Sequence, residues 1–253
     1  MKINVFIILF LLVCSPLFAQ EILILDDDIG EYDISGQQLS YLEDSEKKLT
    51  IDQVSSHEYR NQFKHDIKDT PNFGYTRSAY WLSFSIDGGE TKEKWLLVVN
   101  YALLDYITLY VPGNHGYEEK KQGQMLPFNE RDVKNENFVF NLNIAPGTTS
   151  TFYMRIETQD SFAVPMKLFT SQAFTEQATM IHLFLGIFYG FIIVMILYNL
   201  FILLLTRDLS YLFLILYMTA FIFYITSENG ISYQYLWPGL PWWGKRVVPF
   251  SVS

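Results

Sequence analysis

The 253-residue chain carries 18 Lys or Arg against 27 Asp or Glu and is 50% hydrophobic, but neither property is evenly spread. Residues 20–180 hold 14 basic and 25 acidic side chains, a formal charge of −11, whereas 181–253 hold only Arg207, Lys245 and Arg246 against Asp208 and Glu228. Such acidity excludes nucleic acid as a partner, because phosphates are bound by Lys and Arg that displace counterions, and it disfavours anionic lipid headgroups. The first nineteen residues read as a secretory signal peptide. Lys2 precedes an apolar run from Ile3 to Val13, and Ser15-Pro16 leads into Leu17-Phe18-Ala19, with cleavage expected after Ala19. About a dozen apolar residues is short of the roughly twenty that span a bilayer. Val13 before Cys14 does not fit lipoprotein attachment, and removal of the signal removes the single cysteine. The mature chain is therefore expected to have no disulfide, thiol nucleophile or Cys-ligated metal.

From Glu21 to about Asp69 the sequence is polar and weakly periodic, and residues 20–37 read as an acidic entry segment to a domain over 38–172. A calcium loop at Asp26-Asp27-Asp28 fails its pattern, since Gly30 falls on a ligand position and Gln37 replaces the closing Glu; a solvated turn is expected. Strands are predicted at Tyr80–Ile86, Lys94–Tyr101, Tyr106–Val111, Phe138–Ile144, Thr151–Glu157 and Met166–Phe169, from runs of aromatic and β-branched residues. Turns fall at Asp87-Gly88-Gly89, Pro112-Gly113-Asn114 and Pro146-Gly147. Strands without intervening helices predict an all-β sandwich of two sheets.

Alternation divides each strand into two faces. Leu82, Phe84 and Ile86, Ile107, Leu109 and Val111, and Phe152, Met154 and Ile156 form the expected core. The other face gathers Trp81, Tyr106, Tyr110, Tyr153, Arg155 and Glu157, flat rings among charged groups. That mixture suits a sugar or other small ligand, with rings on its apolar face and charged groups on its hydroxyls. The competing reading is an ordinary solvent face in which Arg155 and Glu157 form a surface ion pair.

Met180–Leu205 contains only His182 and Asn199 as strongly polar residues and reads as a transmembrane helix over 180–205. A second span covers 209–227, and the short break at Thr206-Arg207-Asp208 makes the two an antiparallel hairpin. The N-terminal domain then lies outside and Arg207 inside, as in a multi-pass protein of the cytoplasmic membrane. The loop over 228–246 returns to the outer surface, where Tyr233, Tyr235, Trp237, Trp242 and Trp243 are expected among lipid headgroups. Lys245 and Arg246 fit an outer loop less well and read as the cap of a third helix over 247–253. Gly186 and Gly190 form Gly-x-x-x-Gly, a pattern that lets another helix approach closely. Asn199 falls on nearly the opposite side, so both sides of the helix are expected to meet protein: further helices or a second copy. The alternative is a local bond from Asn199 to a nearby carbonyl.

Several motifs together resemble one family. They are Phe73-Gly74-Tyr75-Thr76, Tyr80-Trp81-Leu82, Trp95-Leu96-Leu97, Leu109-Tyr110-Val111-Pro112 and Tyr153-Met154-Arg155-Ile156, then Gly186-Ile187-Phe188-Tyr189-Gly190, Leu197-Tyr198-Asn199-Leu200-Phe201, Arg207-Asp208-Leu209-Ser210-Tyr211-Leu212, and Asn229-Gly230 with Leu236-Trp237-Pro238. The chain resembles the bacterial seven-transmembrane receptors with diverse intracellular signalling modules that carry the type 2 extracellular domain. The resemblance implies a jelly-roll sensor similar to carbohydrate-binding domains, seven helices and a cytoplasmic output domain. Ser83 departs from the Arg expected after the Trp-Leu pair in many relatives, and the sequence stops at Ser253, inside the membrane domain.

Three function classes follow. A sensory receptor for a small or sugar-like ligand leads, and a membrane-anchored binding protein without output is the alternative. Enzymatic activity is not expected. Glu157 and Asp160 have no placeable partner carboxylate, His57, His65, His115 and His182 lack metal-ligand spacing, and no Ser-His-Asp set can be assembled. No cofactor is expected, and the partners are the ligand, the bilayer and other transmembrane helices.

Overall fold

The structure, a computed structural model, describes residues 20–243 apart from residues 66 and 68. The signal peptide read at 1–19, the pair Lys245 and Arg246, and the third helix read at 247–253 lie outside the described residues.

In chain order the elements are β1 (Leu23–Ile24), β2 (Glu31–Ile34), β3 (Ser40–Asp44), α1 (Ile51–Val54), α2 (His57–Arg60), β4 (Asn72–Tyr75), β5 (Ala79–Asp87), β6 (Trp95–Val99), β7 (Tyr106–Gly113), β8 (Gly116–Gln122), β9 (Phe138–Leu142), β10 (Thr149–Glu157), β11 (Ser161–Ala163) and β12 (Met166–Thr170). Three helices follow: α3 (Ser171–Thr206), α4 (Leu209–Glu228) and α5 (Ile231–Tyr235). One sheet runs β1-β5-β10-β7-β8, with β3 also paired to β5; the second runs β2-β12-β6-β9, and β4 with β11 makes a small ribbon. Together they form a jelly-roll-like sandwich. Each predicted strand is present, and the predicted inner face is the core. Leu82, Phe84, Ile86, Ile107, Leu109, Phe152, Met154 and Ile156 are buried against Trp95, Leu97, Val99, Phe138, Phe140 and Leu168 of the second sheet. Each such side chain contributes about 1.5–3 kcal/mol on leaving water.

Residues 20–37 are part of the sandwich rather than an entry to it. Strand β1 pairs in parallel with β5, and β2 pairs antiparallel with β12. Leu23, Leu25 and Ile34 join the core. Strands of two and four residues offer too few alternations to show a period, which is why the sequence reads as irregular there. Strand β8, GYEEKKQ, was likewise not predicted. It is an edge strand on β7, where exposed charges keep other strands from pairing.

Both candidate spans are present as helices long and apolar enough to cross a membrane. Helix α3 begins nine residues before the predicted span. Thr170 ends β12 and caps the helix, its Oγ1 accepting from Ala173 N at 3.3 Å. At 36 residues the helix is about 54 Å long. It ends at Arg207, whose left-handed backbone (φ 55°) donates its N–H to Leu203 O, and Asp208 caps α4 through Ser210 N at 2.9 Å. On α3 the less exposed residues Leu185, Tyr189, Ile192, Ile196 and Asn199 recur at spacings of three and four, the seam against α4.

Asn199 lies in that seam, buried, with Nδ2 donating to Met195 O one turn back at 2.8 Å. That is the local bond to a nearby carbonyl that the sequence reading held as its alternative, formed here beside the packing against α4. Around Gly186 and Gly190 nothing described lies within 4 Å of where a Cβ would stand.

Candidate functional site

The outer face of the first sheet is not the open platform expected. Residues 45–65 fold over it as a roof that includes α1 and α2, and Leu42, Val54 and Phe63 enclose Trp81, Tyr110 and Tyr153 in a second apolar cluster. Trp81 is fully buried and stacks on Tyr110 with centroids 5.2 Å apart. Tyr153 meets Phe63 at 6.1 Å and Tyr117 edge-on at 5.4 Å. Burial raises the Tyr110 phenol above its ordinary value and pushes Tyr117 up to about 12. Three anchors hold the roof. The buried Asp44 carboxylate accepts from Lys48 N at 3.1 Å and Leu49 N at 3.0 Å. Gln53 and Thr50 form a capping box at the start of α1. Finally, Tyr41 and Lys64 exchange backbone bonds of 2.9 and 2.8 Å. Large rings with few polar atoms gain more from a cover than from water, which is why three of the proposed stacking residues are inside.

The remaining three predicted residues do stay together at the end of β10. Tyr106 is 45% exposed and lies opposite Glu157 in the β7–β10 register. Arg155 and Glu157 form a close ion pair, the Arg155 guanidinium is 5.9 Å from the Trp81 ring centre, and Lys47 Nζ reaches Glu157 at 3.0 Å. Lys47 also opens the neighbouring pocket, about 710 Å³, lined with Tyr75, Thr76, Arg77 and Gln159. Tyr75, at the end of β4, is 83% exposed. It follows Gly74, whose backbone at φ +66° favours glycine. The sequence reading missed Lys47, Tyr75, Arg77 and Gln159 as site residues. Phe73-Gly74-Tyr75-Thr76 was visible as a motif, but nothing in its composition separates a stacking ring from a packing one.

The loop beyond this pocket leads to the helices. Gln159 N donates to Asp105 Oδ2 at 2.9 Å, and Gln124 Nε2 lies 3.0 Å from Asp105 Oδ1, 3.2 Å from Asp160 Oδ2 and 2.7 Å from Leu103 O. Gln124 in turn lines a tight joint with Ala102, Arg131, Ser227, Gly230, Tyr233 and Trp237. At this joint the turn after α4 is pressed onto the sandwich: a Cβ on Gly230 (φ +73°) would sit 2.8 Å from Ala102 Cβ and 2.9 Å from Glu136 O. Arg131 is buried between the rings of Phe128 (4.7 Å), Phe138 (4.6 Å) and Tyr233 (5.7 Å), and its Nη1 reaches Asn135 O at 2.7 Å and Glu136 O at 3.1 Å. Burial lowers its pKa to about 10. Tyr233 Oη donates a close bond to Leu126 O, Phe128 N donates to Pro238 O at 3.1 Å, and His182 Nε2 lies 3.0 Å from Glu136 Oε1. Within the expected aromatic belt, the placement of Tyr233 is corrected accordingly. Tyr233 is buried against the sandwich, Trp237 has its indole nitrogen enclosed, and Tyr235, Trp242 and Trp243 remain exposed.

No curated protein matches the chain. Among solved structures it is similar to an insecticidal crystal protein (12% identity over 58% of this chain and 22% of that one, TM-score 0.28). It is similar also to a non-crystalline cellulose specific carbohydrate-binding module (13%, 42% and 72%, 0.22) and to the GH31 alpha-xylosidase from Xanthomonas citri (13%, 53% and 15%, 0.24). The chain spans less than a quarter of the crystal protein and of the xylosidase, and TM-scores this low add nothing to the fold. The family model described as 7TMR-DISM extracellular 2 matches residues 36–170, more than half of the chain, and that described as 7TM diverse intracellular signalling matches residues 181–253. The chain therefore belongs to the 7TM diverse intracellular signalling receptors, membrane sensory receptors, and carries their type 2 extracellular domain ahead of their membrane domain.

Proposed function

We propose that the extracellular sandwich binds a small carbohydrate in the Tyr75 pocket and passes the event to the helices through Asp105 and Gln124. The observation that carries this reading is that one hydrogen-bonded run, Gln159–Asp105–Gln124, begins in the pocket and ends in the joint on Gly230 and Tyr233. In this reading the exposed Tyr75 ring stacks on the sugar, and Arg77, Lys47 and Gln159, with the Arg155–Glu157 pair and Tyr106 at the rim, bind its hydroxyls. Trp81, Tyr110 and Tyr153 hold the roof and strand ends that shape the site. A ligand that draws the 157–161 loop inward favours one setting of the joint over another, and it shifts the equilibrium only by that difference in affinity. The direct run of β12 into α3 gives the sandwich a second hold on the helices. The open Gly186 and Gly190 face is where another helix, of this receptor or of a second copy, packs. The protein sits as a multi-pass receptor in the cytoplasmic membrane, sandwich outside.

Titration of the full chain in nanodiscs with neutral mono- and disaccharides, read by hydrogen exchange, tests this. Tyr75→Ala is expected to weaken any saccharide that binds by about tenfold, for a stacking contribution of about 1.4 kcal/mol. Gln124→Leu is expected to keep binding but lose the ligand-dependent change in exchange at residues 229–238. Unaltered affinity in Tyr75→Ala would place the ligand elsewhere; an intact response in Gln124→Leu would leave the pocket and remove the proposed route.

A further inference from the structure

Behind the roof lies another pocket of about 220 Å³, lined by Gln20, Ser40, Arg60, Phe63, His65, Ser83, Ser85, Thr151 and Tyr153, none of which lines the Tyr75 pocket. Its floor is a patch of hydroxyls that the strand register assembles. Ser40 and Tyr153 both lie opposite Ser83, and Thr151 lies opposite Ser85, with Ser85 Oγ and Thr151 Oγ1 3.0 Å apart. Its other wall comes from the strip after α2, which the Tyr41–Lys64 bridge fixes beside β3. Phe63 and His65, two residues apart on that strip, face the same way.

Three features point to an anionic, hydroxylated ligand. His65 Nδ1 is enclosed and has no hydrogen-bond partner among the described residues, so a donor or acceptor on a ligand would satisfy it. Arg60 donates its Nε to Ser55 O at 3.1 Å, which leaves the terminal nitrogens for an incoming carboxylate. Among the described residues no Asp or Glu lines this pocket, and Arg60 is its one fixed positive charge. The rings of Phe63 and Tyr153 supply an apolar wall for a carbon skeleton. At about 220 Å³ the pocket is below the roughly 300–1,000 Å³ of drug-sized sites, which suits a small ligand.

We infer that this pocket is a separate binding site for a small sugar acid, its carboxylate on Arg60 and its hydroxyls on His65, Ser85 and Thr151. Because Arg60, Phe63 and His65 belong to the roof and the hydroxyls to the sheet, such a ligand ties one to the other. The inference does not depend on the carbohydrate reading of the Tyr75 pocket. Isothermal titration calorimetry of the full chain in nanodiscs, with D-glucuronate and D-glucose as probes, tests it. Glucuronate is expected to bind at least tenfold more tightly than glucose. Arg60→Gln, an exposed position outside the packed clusters, is expected to erase that preference, His65→Ala to weaken glucuronate severalfold, and Tyr75→Ala to leave it unchanged. Absence of glucuronate binding, equal affinity for the two probes, an unaltered preference in Arg60→Gln, or loss of glucuronate binding in Tyr75→Ala would each overturn it.

Discussion

The two sheets of the sandwich both bury their outer faces, but they do so with different partners. The first is covered by residues 45–65 of its own domain, over Trp81, Tyr110 and Tyr153. The second, through Leu96, Val98, Val139 and Phe169, is covered in part by Ala173 and Phe174 at the start of the membrane helix. One cover is a local flap with polar pockets beside it; the other is a rigid element that continues into the bilayer. The contrast sets a cover made by the domain itself on one side against a cover made by the helix that follows it on the other. It also explains why β6 reads WLLVV, every residue buried, rather than alternating: a strand covered on both faces has no polar side.

The sharpest way to break the contrast is to remove the ring on which the flap rests. Trp81→Ala is expected to destabilise the sandwich by about 3–5 kcal/mol, as for other fully buried aromatics, and to raise hydrogen exchange across residues 45–65 while leaving residues 175–178 of α3 protected. Urea unfolding followed by near-UV circular dichroism, with site-resolved exchange, measures both. A loss confined to α3 would mean that the two covers are not independent. The converse variant, Phe174→Ala, removes a partly buried ring and is expected to cost about 1–2 kcal/mol, roughly half the value of full burial. Its exchange signature is expected at residues 168–178 and not in the flap. Protection lost equally in both regions would merge the two covers into one cooperative unit.

Much of this was legible in the residues. Alternation in YWLSFSI, YITLYV and TFYMRI separated core from outer face correctly, because period two is a property of the strand itself. It could not say what lies over the outer face. The flap has only two four-residue helices and a weak apolar pattern of Leu49, Ile51, Val54, Tyr59 and Phe63, so its cover over Trp81 exists only in three dimensions. For the same reason Tyr233 read as a lipid-facing ring, whereas Arg131, about a hundred residues earlier in sequence, holds it against the sandwich. The Arg155–Glu157 pair was legible as the competing reading to a ligand site, because both residues lie two apart on one strand; Tyr75 and Gln159 were not legible, because they come together only through the β4–β11 ribbon and its loop.

The smallest expected effect probes the flap without cutting into it. Burial and its neighbour Tyr153 push the Tyr117 phenol up to about 12, against 10 for the unperturbed group. A folded-state pKa raised above the unfolded value means that the native state keeps a proton which the unfolded chain gives up. The contribution is therefore fully present below about pH 10 and is lost as the pH rises toward about 12. Tyr117→Phe cannot titrate, so its urea midpoint is expected to fall less between pH 9 and pH 11 than that of the parent chain, with no change in exchange at the start of α3. Parallel pH slopes in the two proteins would show that the edge of the flap over Tyr117 admits water freely, and the first sheet's cover would then be looser than the helix resting on the second.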